Sequence, residues 1–125
     1  MGTAPKGDPD PVGRLSAVDL FSRLKANDPL TLLDVREPFE RSYCAIADLP
    51  STARDLFIPM REIQARLNEI QSAAGDAPIV VYCHHGVRSM AVAQWVASQG
   101  GGPVFNLEGG IDAWSLQVDP AVPRY

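Results

Sequence analysis

Ile79-Val80-Val81-Tyr82-Cys83-His84-His85-Gly86-Val87-Arg88-Ser89 is the stretch whose reading decides the fold. Its first four residues form an unbroken, β-branched apolar run, the pattern of a strand buried on both faces of a parallel sheet. Polar residues with one glycine follow. From Ser89 to Gln99 the chain then reads as a helix, apolar on several sides through Met90, Val92, Ala93, Trp95 and Val96. Outward from this strand–loop–helix, the alternation continues. Thr31-Leu32-Leu33-Asp34-Val35, Asp55-Leu56-Phe57-Ile58 and Val104-Phe105-Asn106-Leu107 read as strands. Between them, Ser16 is an N-cap ahead of Ala17, Leu20, Phe21 and Leu24 at helical spacing, and Pro38 opens a short helix through Tyr43. Ile63, Leu67 and Ile70 put one apolar face on a helix running from Met60 to near Gly75, and a last short helix starts at Ile111, before an extended tail over residues 118–125. Strands alternating with helices make βαβ units, so the expected fold is α/β, a central parallel sheet covered by helices on both faces. Ligands of such sheets bind beyond the carboxyl ends of the strands, where the loops after Val35, Tyr82 and Leu107 converge.

The 125 residues suffice for one domain, and 46% hydrophobic with 21% charged residues is the profile of a chain that buries a core. Residues 1–13, with three prolines and three glycines and no hydrophobic period, read as a flexible tail, leaving residues 14–125 as the single domain. The longest apolar run, five residues from Ile79 to Cys83, is far short of a membrane span, and the N-terminus has no apolar signal region. A formal net charge of −4 argues against nucleic acid or an anionic membrane as the main partner, so any anion must be captured locally. Without a signal peptide the expected compartment is the reducing cytoplasm, where a free thiol persists. Cys44 and Cys83 are too few for a disulfide scaffold and do not form a C-x-x-C pair.

Cys83 sits where the buried strand ends, six residues before the helix begins. A connection this short must curl, and Gly86 permits it. A curled loop entering a helix N-terminus turns backbone N–H groups inward as a nest for an anion, with the Cys83 sulfur at its mouth and Arg88 as a permanent cation. This is a setting for a cysteine nucleophile. The alternative is a small buried hydrophobe closing a strand, but both histidines of the chain, His84 and His85, follow the thiol directly, which an apolar core would not require. Zinc on Cys83, His84 and His85 is the weaker reading, since adjacent side chains diverge and no spaced partner exists; no metal and no cofactor is expected. Asp34, at a strand end, is expected to organise its loop. Arg36 either pairs across the loops or binds anionic substrate. Glu108 shapes the final turn, Trp114 anchors the core, and Cys44 is a packed thiol.

Cys83-His84-His85-Gly86-Val87-Arg88-Ser89 resembles the active-site loop of the rhodanese family of sulfurtransferases. Leu33-Asp34-Val35-Arg36-Glu37-Pro38 is similar to that family's first motif, and Asn106-Leu107-Glu108-Gly109-Gly110-Ile111-Asp112-Ala113-Trp114 to its closing motif. The motifs occur in the family's order over residues 16 to 118. The family's Gly-His-Ile is replaced by Cys44-Ala45-Ile46, and the C-terminal stretch from Val118 to Tyr125 is similar to rhodanese domains attached to adenylating enzymes that activate sulfur-carrier proteins. The resemblance implies the three-layer rhodanese-like fold and a mechanism. Cys83 would take the outer sulfur of a small anionic donor such as thiosulfate as a persulfide. The amides of His84, His85, Gly86, Val87 and Arg88 would hold that sulfur, with Ser89 and Arg36 also toward the substrate. Cyanide, a thiol, a protein cysteine or a sulfur-carrier protein would accept it. Two rivals remain: a phosphatase or arsenate reductase of the same fold, whose loops carry five residues between cysteine and arginine where four stand here, and a non-catalytic interaction module.

Overall fold

The computed structural model describes residues 11–125. Five parallel strands form one sheet: β1 (Val12–Leu15), β2 (Leu30–Asp34), β3 (Ala53–Phe57), β4 (Ile79–Tyr82) and β5 (Val104–Leu107), in the spatial order β1-β5-β4-β2-β3. The helices are α1 (Ala17–Lys25), α2 (Pro38–Tyr43), α3 (Leu67–Ala74), α4 (Val87–Ser98) and α5 (Gly110–Gln117), with a short 3-10 turn at Met60–Glu62.

Alternation along the central strands divides the core into two halves. Ile79 and Val81 point to the side packed by Ile63, Ile70, Val92 and Val96, hence toward α3 and α4. Val80 and Tyr82 point to the side packed by Leu20, Leu24, Ile111 and Trp114, hence toward α1 and α5. All four β4 residues are buried, as a strand with helices on both faces requires. The expected three-layer α/β fold with a central parallel sheet is the fold observed.

Several boundaries differ, each for a physical reason. Of the tail expected over residues 1–13, residues 1–10 lie outside the described residues. Val12 and Gly13, however, belong to β1, an edge strand that pairs only with β5. Val12-Gly13-Arg14-Leu15 is short, contains a glycine and exposes its arginine, so it carries no period to read. Gly13 lies against the Phe105 ring, where a Cβ would overlap the ring carbons. The single helix expected from Met60 to Gly75 is interrupted. After the 3-10 turn, Arg66 leaves helical geometry at φ −114° and ψ 22° while its guanidinium bonds Glu62 and Glu69. Ile63 and Ile70 are nevertheless both buried, so the apolar face survives the break.

The strand order also locates the crevice. From β2 the chain moves outward to β3, and from β4 it moves the opposite way to β5. The order therefore reverses between the neighbours β2 and β4, the topological switch point at which open α/β sheets bind ligands. The loops after Asp34 and Tyr82 leave the sheet side by side at that point, and Val35 N–H donates to the Tyr82 carbonyl at 3.1 Å.

Leu33 is wholly buried in the central sheet. Truncation by Leu33→Ala should cost about 2–5 kcal/mol, lost burial plus the cavity left behind, read as a lower urea midpoint with an unchanged slope.

Candidate active site

The Cys83 loop is shorter than its sequence suggests. Gly86, at φ +101°, is the N-cap of α4, so Val87, Arg88 and Ser89 form the first helical turn and not the end of a loop. The amides of a first turn have no intrahelical partner. The Ser89 N–H donates to Cys83 Sγ at 3.4 Å, and the Gly86 N–H at 3.2 Å. The sulfur thus sits on the helix N-terminus, where two amides and the helix dipole stabilise negative charge. Cys83 is 1% exposed, at the floor of the curl and not at its mouth. Of the amides from His84 to Arg88, Gly86 alone has its hydrogen bond on the sulfur.

Beneath the sulfur, buried Ser89 accepts from the thiol at 3.3 Å and donates through Oγ to Asn106 Oδ1 at 2.5 Å. Asn106 Nδ2 in turn donates to the Gly86 carbonyl at 3.1 Å. This relay ties the curl to β5 and leaves the Ser89 side chain directed into the protein. Gly110 closes the other side at φ +59°, where a Cβ would overlap the Cys83 and His84 carbonyl oxygens. The Ile111 and Asp112 amides bond those same oxygens at 2.9 and 3.1 Å. The backbone of the third loop therefore holds it in place. The side chain of Glu108, expected to shape this turn, is half exposed and 3.9 Å from Arg14, and it lines an open cavity of about 470 Å³ with His85, Gly86 and Val87.

The charged residues are placed differently from expectation. Of the two roles expected for Arg36, pairing or substrate binding, the structure shows pairing: its side chain has no exposure. Its Nε and Nη2 donate to the two Asp34 oxygens at 2.8 Å each, Nη2 also reaches the Cys44 carbonyl at 2.7 Å, and Nη1 reaches Tyr125 Oη at 3.0 Å. Burial works against the Arg36 charge, but the hydrogen bonds and charge of Asp34 outweigh it, so its pKa is raised. Asp34 also accepts from the Arg36 amide and from Arg41, and so organises the loop after β2. Cys44 is part-buried, with Sγ 3.8 Å from Arg36 Nη1.

Arg88 is not a free cation. Its two terminal nitrogens donate to the two oxygens of Glu40 at 2.8 and 2.9 Å. Glu40, only 5% exposed, takes two further hydrogen bonds, from the Glu37 amide at 3.0 Å and the Tyr125 hydroxyl at 2.8 Å. The Arg88 hydrogen bonds hold its carboxyl down at about 2. Tyr125 also stacks flat on His84, at 3.8 Å and 7°, while His85 stacks on His84 at 3.8 Å and 26°. Burial, then the neighbouring His85, keeps the His84 imidazole below its usual pKa. The two histidines therefore do not diverge. With Asp112 they place one ligand atom each within 4.8 Å of one another, a set that could hold a metal ion, although Arg124 already bonds Asp112 at 2.9 Å.

Glu40, Asn106 and Tyr125 are the site residues that the sequence reading missed. Glu40 carries a local signal, because Glu37-Pro38-Phe39-Glu40 reads as a capping box, which the structure contains. That signal explains a helix start and says nothing of Arg88. Asn106, like Asp34, is a polar residue near a strand end. Tyr125 carries no signal.

Residues 16–117 match the family model of the rhodanese-like domain. The chain belongs to the rhodanese-like family. It is 34% identical over 111 residues to a sulfurtransferase of Allochromatium vinosum, covering 89% of this chain and 95% of that one. To the thiosulfate sulfurtransferase GlpE of Actinobacillus pleuropneumoniae it is 33% identical over 100 residues, 79% of this chain and 83% of the relative. A rhodanese-like/PpiC domain-containing chloroplastic protein of Arabidopsis thaliana is 38% identical over 93% of this chain, which spans only 38% of that longer relative. Among solved structures, a rhodanese-related protein from Thermoplasma volcanium superposes with a TM-score of 0.68 at 32% identity, over 90% of this chain and 99% of that one. Among the described residues of this rhodanese-like chain, no helix is long and apolar enough to cross a membrane.

Asp34→Asn leaves the Arg36 guanidinium buried against a neutral partner and should destabilise the fold by about 3–5 kcal/mol in urea unfolding. Glu40 provides a pH test. Its carboxyl is held below the unfolded value, so its stabilisation is complete above about pH 4.5 and is lost as pH falls toward about 2. The stability difference between the wild type and Glu40→Gln should shrink across that window; a difference constant from pH 6 to 2.5 would contradict the assignment.

Proposed function

We propose that this rhodanese-like chain is a sulfurtransferase that carries sulfane sulfur as a persulfide on Cys83. The observation that supports it best is the pair of amides, Gly86 and Ser89, directed at the buried Sγ from the N-terminus of α4. The Cys83 thiolate attacks the outer sulfur of a donor such as thiosulfate. The new S–S bond forms as the donor's S–S bond breaks, and sulfite leaves with the electron pair. A thiophilic acceptor (cyanide, a small thiol, or the cysteine or carrier group of a partner protein) then attacks the outer sulfur and releases the thiolate. One transfer is thereby split into two covalent steps. The relatives named sulfurtransferase and thiosulfate sulfurtransferase support this reading.

Phosphatase chemistry on the same scaffold is disfavoured by spacing. Four residues lie between Cys83 and Arg88, one fewer than in phosphatases of this fold, whose cradle must hold the three equatorial oxygens of a transferring phosphoryl group. Retention of the nucleophile disfavours a purely binding module.

Incubation with thiosulfate should add one sulfur, about 32 Da in intact mass, to the peptide holding Cys83. Cys83→Ser should abolish thiosulfate:cyanide transfer with an almost unchanged unfolding midpoint, and aryl phosphate turnover should be negligible. Added mass on Cys44, or aryl phosphate turnover comparable to the thiosulfate rate, would sink this reading.

A further inference from the structure

The rim of the site is electrically compensated. The Arg88 guanidinium, 35% exposed, is spanned by both oxygens of buried Glu40. The arginines beside the curl are matched too: Arg124 is held by Asp112, which lies 3.9 Å from His85, and Arg14 is 3.9 Å from Glu108. Among the described residues, the site therefore offers an incoming donor amide dipoles and paired charges in a chain of net charge −4. Amide dipoles favour a polarisable sulfur atom at short range. A second negative charge carried in on the donor gains nothing from a guanidinium already neutralised, and it is repelled by the net field.

Resting on the sulfurtransferase reading above, we propose that Glu40 is a specificity-determining residue that turns the Cys83 site away from the thiosulfate dianion and toward donors of at most one negative charge, the persulfides of small thiols. The step balances without a further reagent. The Cys83 thiolate attacks the outer sulfur of RS–SH, the Cys83 S–S bond forms as the RS–S bond breaks, and RS⁻ leaves with the electron pair. Glu40 contacts neither sulfur. It acts by cancelling Arg88, so its effect scales with donor charge, unlike a purely structural contribution, which would alter all donors alike.

The test is single-turnover sulfur loading of Cys83, followed by quench and intact mass. The donors are thiosulfate and the persulfide of N-acetylcysteamine, whose thiol bears no other charge, and each rate is normalised to that donor's reaction with a free small thiol. Wild type should load faster from the persulfide. Glu40→Gln uncovers Arg88 and should raise the thiosulfate rate about tenfold but the persulfide rate at most about threefold, because Coulomb energy is linear in donor charge. This gap should narrow in high salt. Arg88→Gln should depress thiosulfate loading more than persulfide loading. The double variant, with the pair removed as a unit, should return the donor ratio to near that of the wild type, which keeps the test sharp should Glu40→Gln alone fold poorly. A wild type that prefers thiosulfate, or a donor ratio unchanged in every variant that still loads Cys83, would overturn the inference while leaving the sulfurtransferase reading intact. Loading from neither donor would overturn that reading, and this one with it.

Discussion

An arginine with no exposure cannot stay charged in a protein interior unless a carboxylate comes with it, and the architecture of this site follows from that constraint. Arg36 and Asp34 are two residues apart at the end of β2, and both are fully buried. Arg36 Nη2, one of the two guanidinium nitrogens on Asp34, also donates to the Cys44 carbonyl, and Nη1 is left for Tyr125. Tyr125 passes the network to Glu40, and Glu40 holds Arg88 on α4. A chain of charge-assisted hydrogen bonds thus links the loop after β2, the first turn of α4 and the C-terminal residue. Loss of Asp34 would leave the buried Arg36 charge without its carboxylate, and loss of Arg88 would do the same to buried Glu40, leaving it without its guanidinium.

The sulfur occupies the neutral side of this arrangement. Cys83 is approached by amides of its own curl and of the first helical turn, and it is backed by the uncharged relay through Ser89 and Asn106. The division of labour is physical. Dipoles of the backbone and hydroxyl groups lie at hydrogen-bond distance from Sγ, whereas the full charges are placed in pairs. The backbone of the third loop, pressed against the Cys83 and His84 carbonyls at Gly110, keeps the curl from opening.

Much of this was legible before any coordinates. The unbroken run from Ile79 to Tyr82 announced a doubly covered strand, because only helices on both faces remove the need for alternation. The capping oxygen of Ser16 and the helix through Pro38 were equally plain, since caps and first-turn prolines act through neighbours in sequence. β1 was not legible, because an edge strand of four residues owes its existence to β5, more than eighty residues away. Nor was the break after Met60–Glu62, where burial of Ile63 and Ile70 on one face is compatible with either a continuous or an interrupted helix.

The sequence by itself determined the parallel α/β class, the edge on which the loops converge, and Cys83 as the residue of interest between a buried strand and a helix N-terminus. These follow from periodicity and from chain neighbours. Only the tertiary structure decided the electrostatics. Arg36, open in sequence to a substrate or to a partner, is withdrawn into the core. Arg88, a bare cation on paper, is matched by Glu40 from forty-eight positions earlier, and Tyr125 reaches back eighty-five positions to bind the same carboxylate. A charge's partner is set by distance in space and by the cost of desolvation, and neither is written in the order of the residues.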